Sequence, residues 1–232
     1  MDRSGLVLQH DADVPPALFA DWLQARGIAW ELVAVARDGV PTLDGPPWIA
    51  VLGSHSSAAA SEPAWVPAEA ELLGAAIRAE VPVLGICFGG QALALALGGE
   101  VRPTSVLEAS WDSAIEVLDE AIPAGPWLNL HFESFTLPPG GRLLARSAAG
   151  PSAFSHGPHL GVQFHPEVTP EIVATWAERY RPAHPEIDYA ALAGGGEANR
   201  AAAPARAFAL FDRWWARAQS APTSSSASGL RQ

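Results

Sequence analysis

Short apolar runs alternate along the first hundred residues with segments whose apolar positions recur every three or four, the pattern of a sheet assembled from β–α–β units. Residues 6–10 read as a first strand and 16–26 as the helix that follows it, stopped by Gly27 where a helix takes a left-handed glycine. Residues 29–35 and 48–52 read as the second and third strands, the latter ending at Gly53. A helix is expected over 68–79, because Leu72, Leu73, Ala76 and Ile77 form one stripe. Residues 83–86 are apolar without alternation, as a strand covered on both faces should be. Past Cys87, residues 91–97 are rich in Ala and Leu and close at Gly98-Gly99, which predicts another helix.

The second half changes character. Residues 113–118, 127–132, 143–147, 152–155 and 160–164 read as strands, separated by turns such as Pro138-Pro139-Gly140-Gly141. Helical spacing returns at 170–180 and at 197–218, where Phe208, Leu210, Phe211, Trp214 and Trp215 supply the apolar face. From Ser220 onward the Ser/Ala/Thr composition has no apolar pattern and is expected to be disordered. The pattern predicts one α/β domain over residues 1–219, followed by a tail over 220–232. It is a flavodoxin-like, open, mostly parallel central sheet with helices on both faces and a smaller antiparallel β extension.

Composition narrows the chemistry. Half of the 232 residues are hydrophobic (49%), enough for a core and too many for a disordered chain. A formal charge of −11 opposes nucleic-acid binding, which needs a basic face. All 14 basic residues are arginine, so mechanisms that use a lysine Schiff base or a Walker lysine are excluded, and no phosphate loop of the Gly-x-x-x-x-Gly-Lys type occurs. The apolar stretch at 81–97 is broken by Pro82, Gly85, Gly89, Gly90 and Gln91, so no membrane span is expected, and the start of the chain does not read as a secretory signal. A cytoplasmic location is the expectation, and a single reduced thiol suits it. One cysteine excludes an internal disulfide and any multi-cysteine metal site, and no histidine or carboxylate cluster shows metal-ligand spacing.

That one cysteine, Cys87, falls where a buried strand gives way to a helix. Such an elbow holds its central side chain outward on a strained backbone and needs small neighbours, here Gly85, Gly89 and Gly90. The helix start adds free N–H groups and the positive end of the dipole, surroundings that favour a thiolate. The alternative is a buried cysteine acting as a small hydrophobe; the elbow and its glycines favour a nucleophile. A thiolate nucleophile wants a histidine base oriented by a third group. His165 ends the apolar run Leu160-Gly161-Val162-Gln163-Phe164, and Glu167 follows two residues later, close enough to fold back on the imidazole and fix its tautomer.

Gly85-Ile86-Cys87-Phe88-Gly89-Gly90-Gln91 resembles the nucleophile motif of the class I, triad-type glutamine amidotransferases, and Gly161-Val162-Gln163-Phe164-His165-Pro166-Glu167 resembles their histidine–glutamate motif. The likeness runs from the first strand to the Phe208–Trp215 segment and is strongest to stand-alone, GMP-synthase-like members. Weaker signatures are residues 65–73, Leu97-Gly98-Gly99 and His131-Phe132-Glu133-Ser134-Phe135. The resemblance implies a cofactor-free attack of Cys87 on the γ-carboxamide of glutamine, with His165 moving the proton and Glu167 orienting it. It implies an oxyanion hole from the N–H of Phe88 and the loop after the third strand. There the family carries a Gly-Gly-Pro-like turn, whereas this chain reads Gly53-Ser54-His55-Ser56. If the turn requires positive φ, Ser54 is strained by about 1 kcal/mol or more.

Gly53, Gln91 and His131 are the implied substrate contacts. Gln91 has the competing reading of a packing residue. His55 is expected to face solvent, and His10, His156, His159 and His184 to be surface or structural. About sixty-five residues follow Glu167, too few for a nucleotide-dependent synthase domain. The resemblance therefore implies that the ammonia is passed to a separate synthetase subunit. The alternatives are a γ-glutamyl hydrolase or peptidase acting on another amide, and a non-catalytic relative that binds a partner. A deglycase or chaperone on a related scaffold would leave the 163–167 motif unexplained.

Overall fold

Alternation along the strands decides how the molecule is layered. In the computed structural model, which describes residues 3–111 and 115–220, β1 (Gly5–Gln9), β3 (Ile49–Val51), β4 (Val83–Ile86) and β10 (His159–Val162) are buried, and their side chains divide between two cores. Val7, Ala50, Leu84, Ile86 and Val162 join one, filled by Phe19 and Trp22 of α1 (Ala17–Arg26) and Phe211 and Trp214 of α7 (Ala203–Ser220). Leu8, Ile49, Val51 and Val83 face the other, filled by Leu72 and Leu73 of α3 (Trp65–Arg78) and Phe88 and Leu93 of α4 (Phe88–Ala96). Period-two burial on both faces is what a sheet sandwiched by helices requires.

With β2 (Trp30–Ala34), β9 (Gly150–His156), β8 (Arg142–Ser147) and β6 (Glu116–Val117), these strands form one eight-stranded sheet in the order β2-β1-β3-β4-β10-β9-β8-β6. Pairing is parallel from β2 through β10 and antiparallel beyond it. A separate antiparallel ribbon joins β5 (Val101–Ser110) to β7 (Asn129–Phe135). A third cluster packs this ribbon against α5 (Pro170–Tyr180) and α6 (Tyr189–Asn199) through Trp111, Leu130, Trp176 and Leu192. The architecture is the expected single α/β domain: a mostly parallel sheet with an antiparallel extension. No helix among the described residues is long and apolar enough to cross a membrane.

Several boundaries differ from the sequence reading. Helix α4 begins at Phe88, immediately after the cysteine rather than at Gln91, and α3 begins at Trp65 rather than 68. The expected 197–218 helix is α7, which starts only at Ala203, because residues 197–199 belong to the end of a separate helix that stops at Asn199. Strand β5 and helix α6 were not expected. Arg102, Pro103 and the buried Glu108 obscure alternation in the first. Gly194-Gly195-Gly196 reads as a breaker in the second, yet a Cβ on Gly195 would lie 2.2 Å from Trp111, so the glycine permits the packing. A short helix, α2 (Val35–Asp38), replaces the end of the expected second strand. Residues 113–114 of one expected strand and 221–232 of the expected tail lie outside the described residues, while Ser220 belongs to α7.

The β9–β10 hairpin carries a pH-sensitive element. His159 is buried, its Nδ1 has no partner among the described residues, and it stands opposite His156. Burial and the neighbouring His156 lower its pKa to about 4. A histidine depressed in the folded state stabilises fully above its unfolded pKa, and that stability is lost as pH falls from about 6.5 toward 4. Replacing it with leucine (His159→Leu) should flatten the fall in urea midpoint between those pH values relative to wild type, an effect of about 3 kcal/mol at most. Parallel pH profiles for the two proteins would contradict this.

Candidate active site

Three loops meet at the carboxyl ends of β3, β4 and β10. Register pairs Val162 with Ile86 in parallel, and the N–H of Cys87 donates to the carbonyl of Val162 at 2.8 Å. Cys87 is thereby held at φ 52°, ψ −106°, left-handed for an L residue and costly by roughly 1–3 kcal/mol unless the surroundings enforce it. They do so through close approach: a Cβ on Gly89 would lie 2.1 Å from the carbonyl oxygen of Val51, and one on Gly90 2.5 Å from that of Val162. Helix α4 can sit this near the strand ends only if those positions carry no side chain. The expected strained elbow is present, and Cys87 is 8% exposed at its tip.

His165 is placed by its own backbone, whose N–H donates to the carbonyl of Leu128 at 2.9 Å. Its Nδ1 lies 2.7 Å from Oε1 of Glu167, and both side chains are buried. Burial by itself disfavours an imidazolium, but the Glu167 carboxylate and the Cys87 sulfur outweigh it and raise the pKa of His165 to about 10. With Nδ1–H directed at the carboxylate, Nε2 is left for the sulfur. Gly53 abuts this ring, since a Cβ there would lie 3.2 Å from Cε1 of His165 and 3.8 Å from Cβ of Cys87.

The Gly53–Ser56 loop is fixed from behind. Asp11 Oδ2 accepts from Ser54 Oγ at 2.8 Å and from the N–H of His55 at 2.9 Å. His10 Nδ1 donates to the carbonyl of Gly53 at 3.2 Å, while Nε2 lies 2.7 Å from Glu69 Oε2. His10 and Glu69 are both buried, and His10 stacks on Trp65 with ring centroids 4.6 Å apart. Neither Gly53 nor Ser54 adopts positive φ, so the strain anticipated for a serine in this turn does not arise.

The remaining candidates sort themselves by their bonds. Gln91 is buried and its Nε2 donates to the carbonyl of Glu133 and to Oε1 of Gln163, while the residue also borders a cavity of about 360 Å³. Gln163 in turn places Nε2 3.7 Å from Cys87 Sγ. His131 borders the same cavity with both ring nitrogens engaged, Nδ1 with the carbonyl of Glu133 and Nε2 with Glu108. Despite burial, the bonds from His131, Ser147 and the Ala149 N–H hold the Glu108 carboxyl below the usual range. His131 therefore offers the cavity a wall rather than a free donor. His55 does not face solvent as expected: Nδ1 lies 2.5 Å from Tyr180 Oη and Nε2 3.0 Å from Asp13.

Sequence reasoning did not single out Gln163, Trp176, Tyr180, Asp11 or Asp13. For Trp176 and Tyr180 a signal existed: they stand four residues apart on the helix that follows the 163–167 motif. Asp11, Asp13 and His55 bring one ligand atom each within 4.8 Å, but His55 is tied to Asp13, and Asp11 holds the Ser54 loop.

A thiol on a strained elbow, an imidazole that interacts with both it and a carboxylate, and the start of α4 directly after the thiol thus meet at one end of an α/β sheet. The sequence profile "Glutamine amidotransferase class-I" matches residues 25–174, and the chain belongs to that family. It is 42% identical over 99 residues to a glutamine-hydrolyzing GMP synthase of Thermomicrobium roseum, covering 40% of this chain and 19% of that one. It is 44% identical over 98 residues to one subunit of the glutamine-hydrolyzing GMP synthase of Thermococcus kodakarensis, covering 38% and 52%. The matches thus span about a fifth to half the length of these curated relatives. In fold, it superposes on a glutamine amidotransferase from Methylobacillus flagellatus with a TM-score of 0.82 at 24% identity, over 93% of this chain and 95% of that one. A glutamine amidotransferase from Thermotoga maritima gives 0.82 at 21% identity, over 92% and 98%.

The buried His10–Glu69 pair yields a stability test. His10→Ala and Glu69→Ala should each lower the unfolding free energy by about 3 kcal/mol, because each strands a buried polar partner, and the double variant should cost little more than either single one. Additive losses in urea unfolding would show that the two side chains act independently.

Proposed function

We propose that this chain is a glutaminase-type thiol hydrolase in which Cys87, His165 and Glu167 act as nucleophile, proton carrier and orienting carboxylate. The observation that carries the reading is His165, held at 2.7 Å by Glu167 on one side and interacting with the Cys87 sulfur on the other. Membership of the class-I amidotransferase family and the glutamine-hydrolysing relatives support glutamine as the substrate.

In this mechanism the glutamyl portion occupies the cavity of about 360 Å³ bounded by Gln91, His131 and Glu133. The sulfur of Cys87 attacks the γ-carbonyl carbon, and the negative oxygen that forms is met by the N–H of Phe88, first in its helix, with that of Ser54 opposite. Asp11, His10 and Glu69 keep the Gly53–Ser54 backbone in place, so these donors need no reorganisation. Gln163 Nε2 donates toward the sulfur before attack. As the tetrahedral centre collapses, the C–N bond breaks and His165 gives its proton to the departing nitrogen, releasing ammonia and leaving a γ-glutamyl thioester. His165 then accepts a proton from water as it attacks the thioester; the C–S bond breaks, and glutamate leaves with the thiol restored. No cofactor enters. The ammonia passes to a separate synthetase partner, a role suggested by the relative that is itself one subunit of a GMP synthase.

Ammonia and glutamate should appear in equal amounts from glutamine, and Cys87→Ala should abolish both while leaving the circular-dichroism spectrum unchanged. His165→Ala should be comparably damaging. Glu167→Gln should lose roughly a hundredfold less activity than His165→Ala, since an orienting group supplies only part of what the base does. Undiminished glutamate release by Cys87→Ala would overturn the reading, and no loss in Glu167→Gln would remove that residue from the triad. Stimulation of the rate by cell extract would indicate the partner synthetase.

A further inference from the structure

We propose that His55 and Tyr180 are specificity-determining residues that confine Cys87 to primary γ-carboxamides and exclude γ-glutamyl amides of larger amines; this rests on the hydrolase reading above. Cys87 lies at the junction of two cavities of unequal size. The larger, about 360 Å³, takes in Ser57, Gln91, His131, Glu133 and His184. The smaller, about 20 Å³, takes in Val14, Gly53, His165 and Trp176. Ser54, His55, Leu130 and Tyr180 border both.

His165 borders only the small one, and this decides which part of a substrate goes where. A general acid must come within hydrogen-bond reach of the atom it protonates. The departing nitrogen therefore sits in the small cell and the glutamyl portion in the large one. A volume of about 20 Å³ compares with the roughly 10–15 Å³ that one water requires. Ammonia, close to water in size, fits; an amine bearing one carbon exceeds this volume and must press on its walls or project through its open side.

The walls are braced. Tyr180 Oη bonds His55 Nδ1 at 2.5 Å, His55 Nε2 bonds Asp13 at 3.0 Å, and Trp176 Nε1 donates to the Asp13 carbonyl at 2.7 Å. Trp176 packs edge-on to the His165 ring with centroids 4.7 Å apart. Burial raises the pKa of the Tyr180 hydroxyl, so it keeps its proton for the hydrogen bond with His55. The chain Tyr180–His55–Asp13 thus ties both ring nitrogens of His55 to neighbouring elements. His55 stands where a Gly-Gly-Pro-like turn would place proline, a residue unable to make either bond.

The test compares glutamine with γ-glutamylmethylamide, which differ by one methyl on the leaving nitrogen, as kcat/KM for glutamate release by the full chain. Wild type should disfavour the methylamide by about 100-fold, and Tyr180→Ala should reduce that to less than about tenfold. His55→Ala, a change in the Gly53–Ser56 loop that leaves α5 untouched, should narrow the ratio in the same direction and guards against misfolding of the helix variant. Tyr180→Phe, which keeps the ring as a wall but releases the brace to His55, should give a ratio between those of wild type and Tyr180→Ala. Comparable turnover of both amides by wild type, or an unchanged ratio in both alanine variants, would overturn the inference while leaving the hydrolase reading intact. Turnover of neither amide by any form would overturn the reading and the inference together.

Discussion

One backbone hydrogen bond, from the N–H of Cys87 to the carbonyl of Val162 at 2.8 Å, joins the two halves of the site. It extends the parallel register of β4 and β10 by one step past the end of the strands, where the chain turns into α4. The bond is compatible with φ 52° at Cys87, and Gly89 and Gly90 let the helix crowd against Val51 and Val162 closely enough to hold that conformation. The same register sets His165 three residues beyond Val162, beside the sulfur. The sheet fixes the Cys87 and His165 side chains to rigid elements, and the loops only finish the geometry.

Behind the sulfur the polar groups are arranged as histidine–carboxylate pairs, two drawn from separate segments, His10 with Glu69 and His131 with Glu108, and one local, His165 with Glu167. All six side chains are buried. Burying so many ionisable groups is costly unless each is paired and hydrogen-bonded, and here each pair also fixes a backbone or reactive atom. His10 reaches the carbonyl of Gly53, His131 reaches that of Glu133, and His165 addresses Cys87. In a chain of net charge −11 this places buried imidazoles around a site where negative charge would develop on a substrate oxygen.

Much of this was legible in the sequence. The strand–Cys–helix elbow and the His165–Glu167 spacing are local features, and the central strands read as apolar runs because both of their faces are covered. What could not be read depends on contacts between distant segments. Ser54 looked like a liability because the turn was judged by a glycine-rich counterpart, whereas Asp11, forty-three positions away, secures it without positive φ. His55 looked solvent-facing because nothing nearby in sequence predicts Tyr180 or Asp13 as its partners. Helix α6 was hidden by three consecutive glycines, of which Gly195 admits the Trp111 ring.

In the mechanism proposed, folding makes Cys87 a nucleophile, through the elbow and His165 acting together. The most direct measurement is the second-order rate at which a glutamine-analogue electrophile alkylates Cys87, the chain's single thiol, in the native protein and in urea. The native thiol should react much faster than the unfolded one, and His165→Ala should remove most of the difference. Equal rates in the folded and unfolded chains would contradict it.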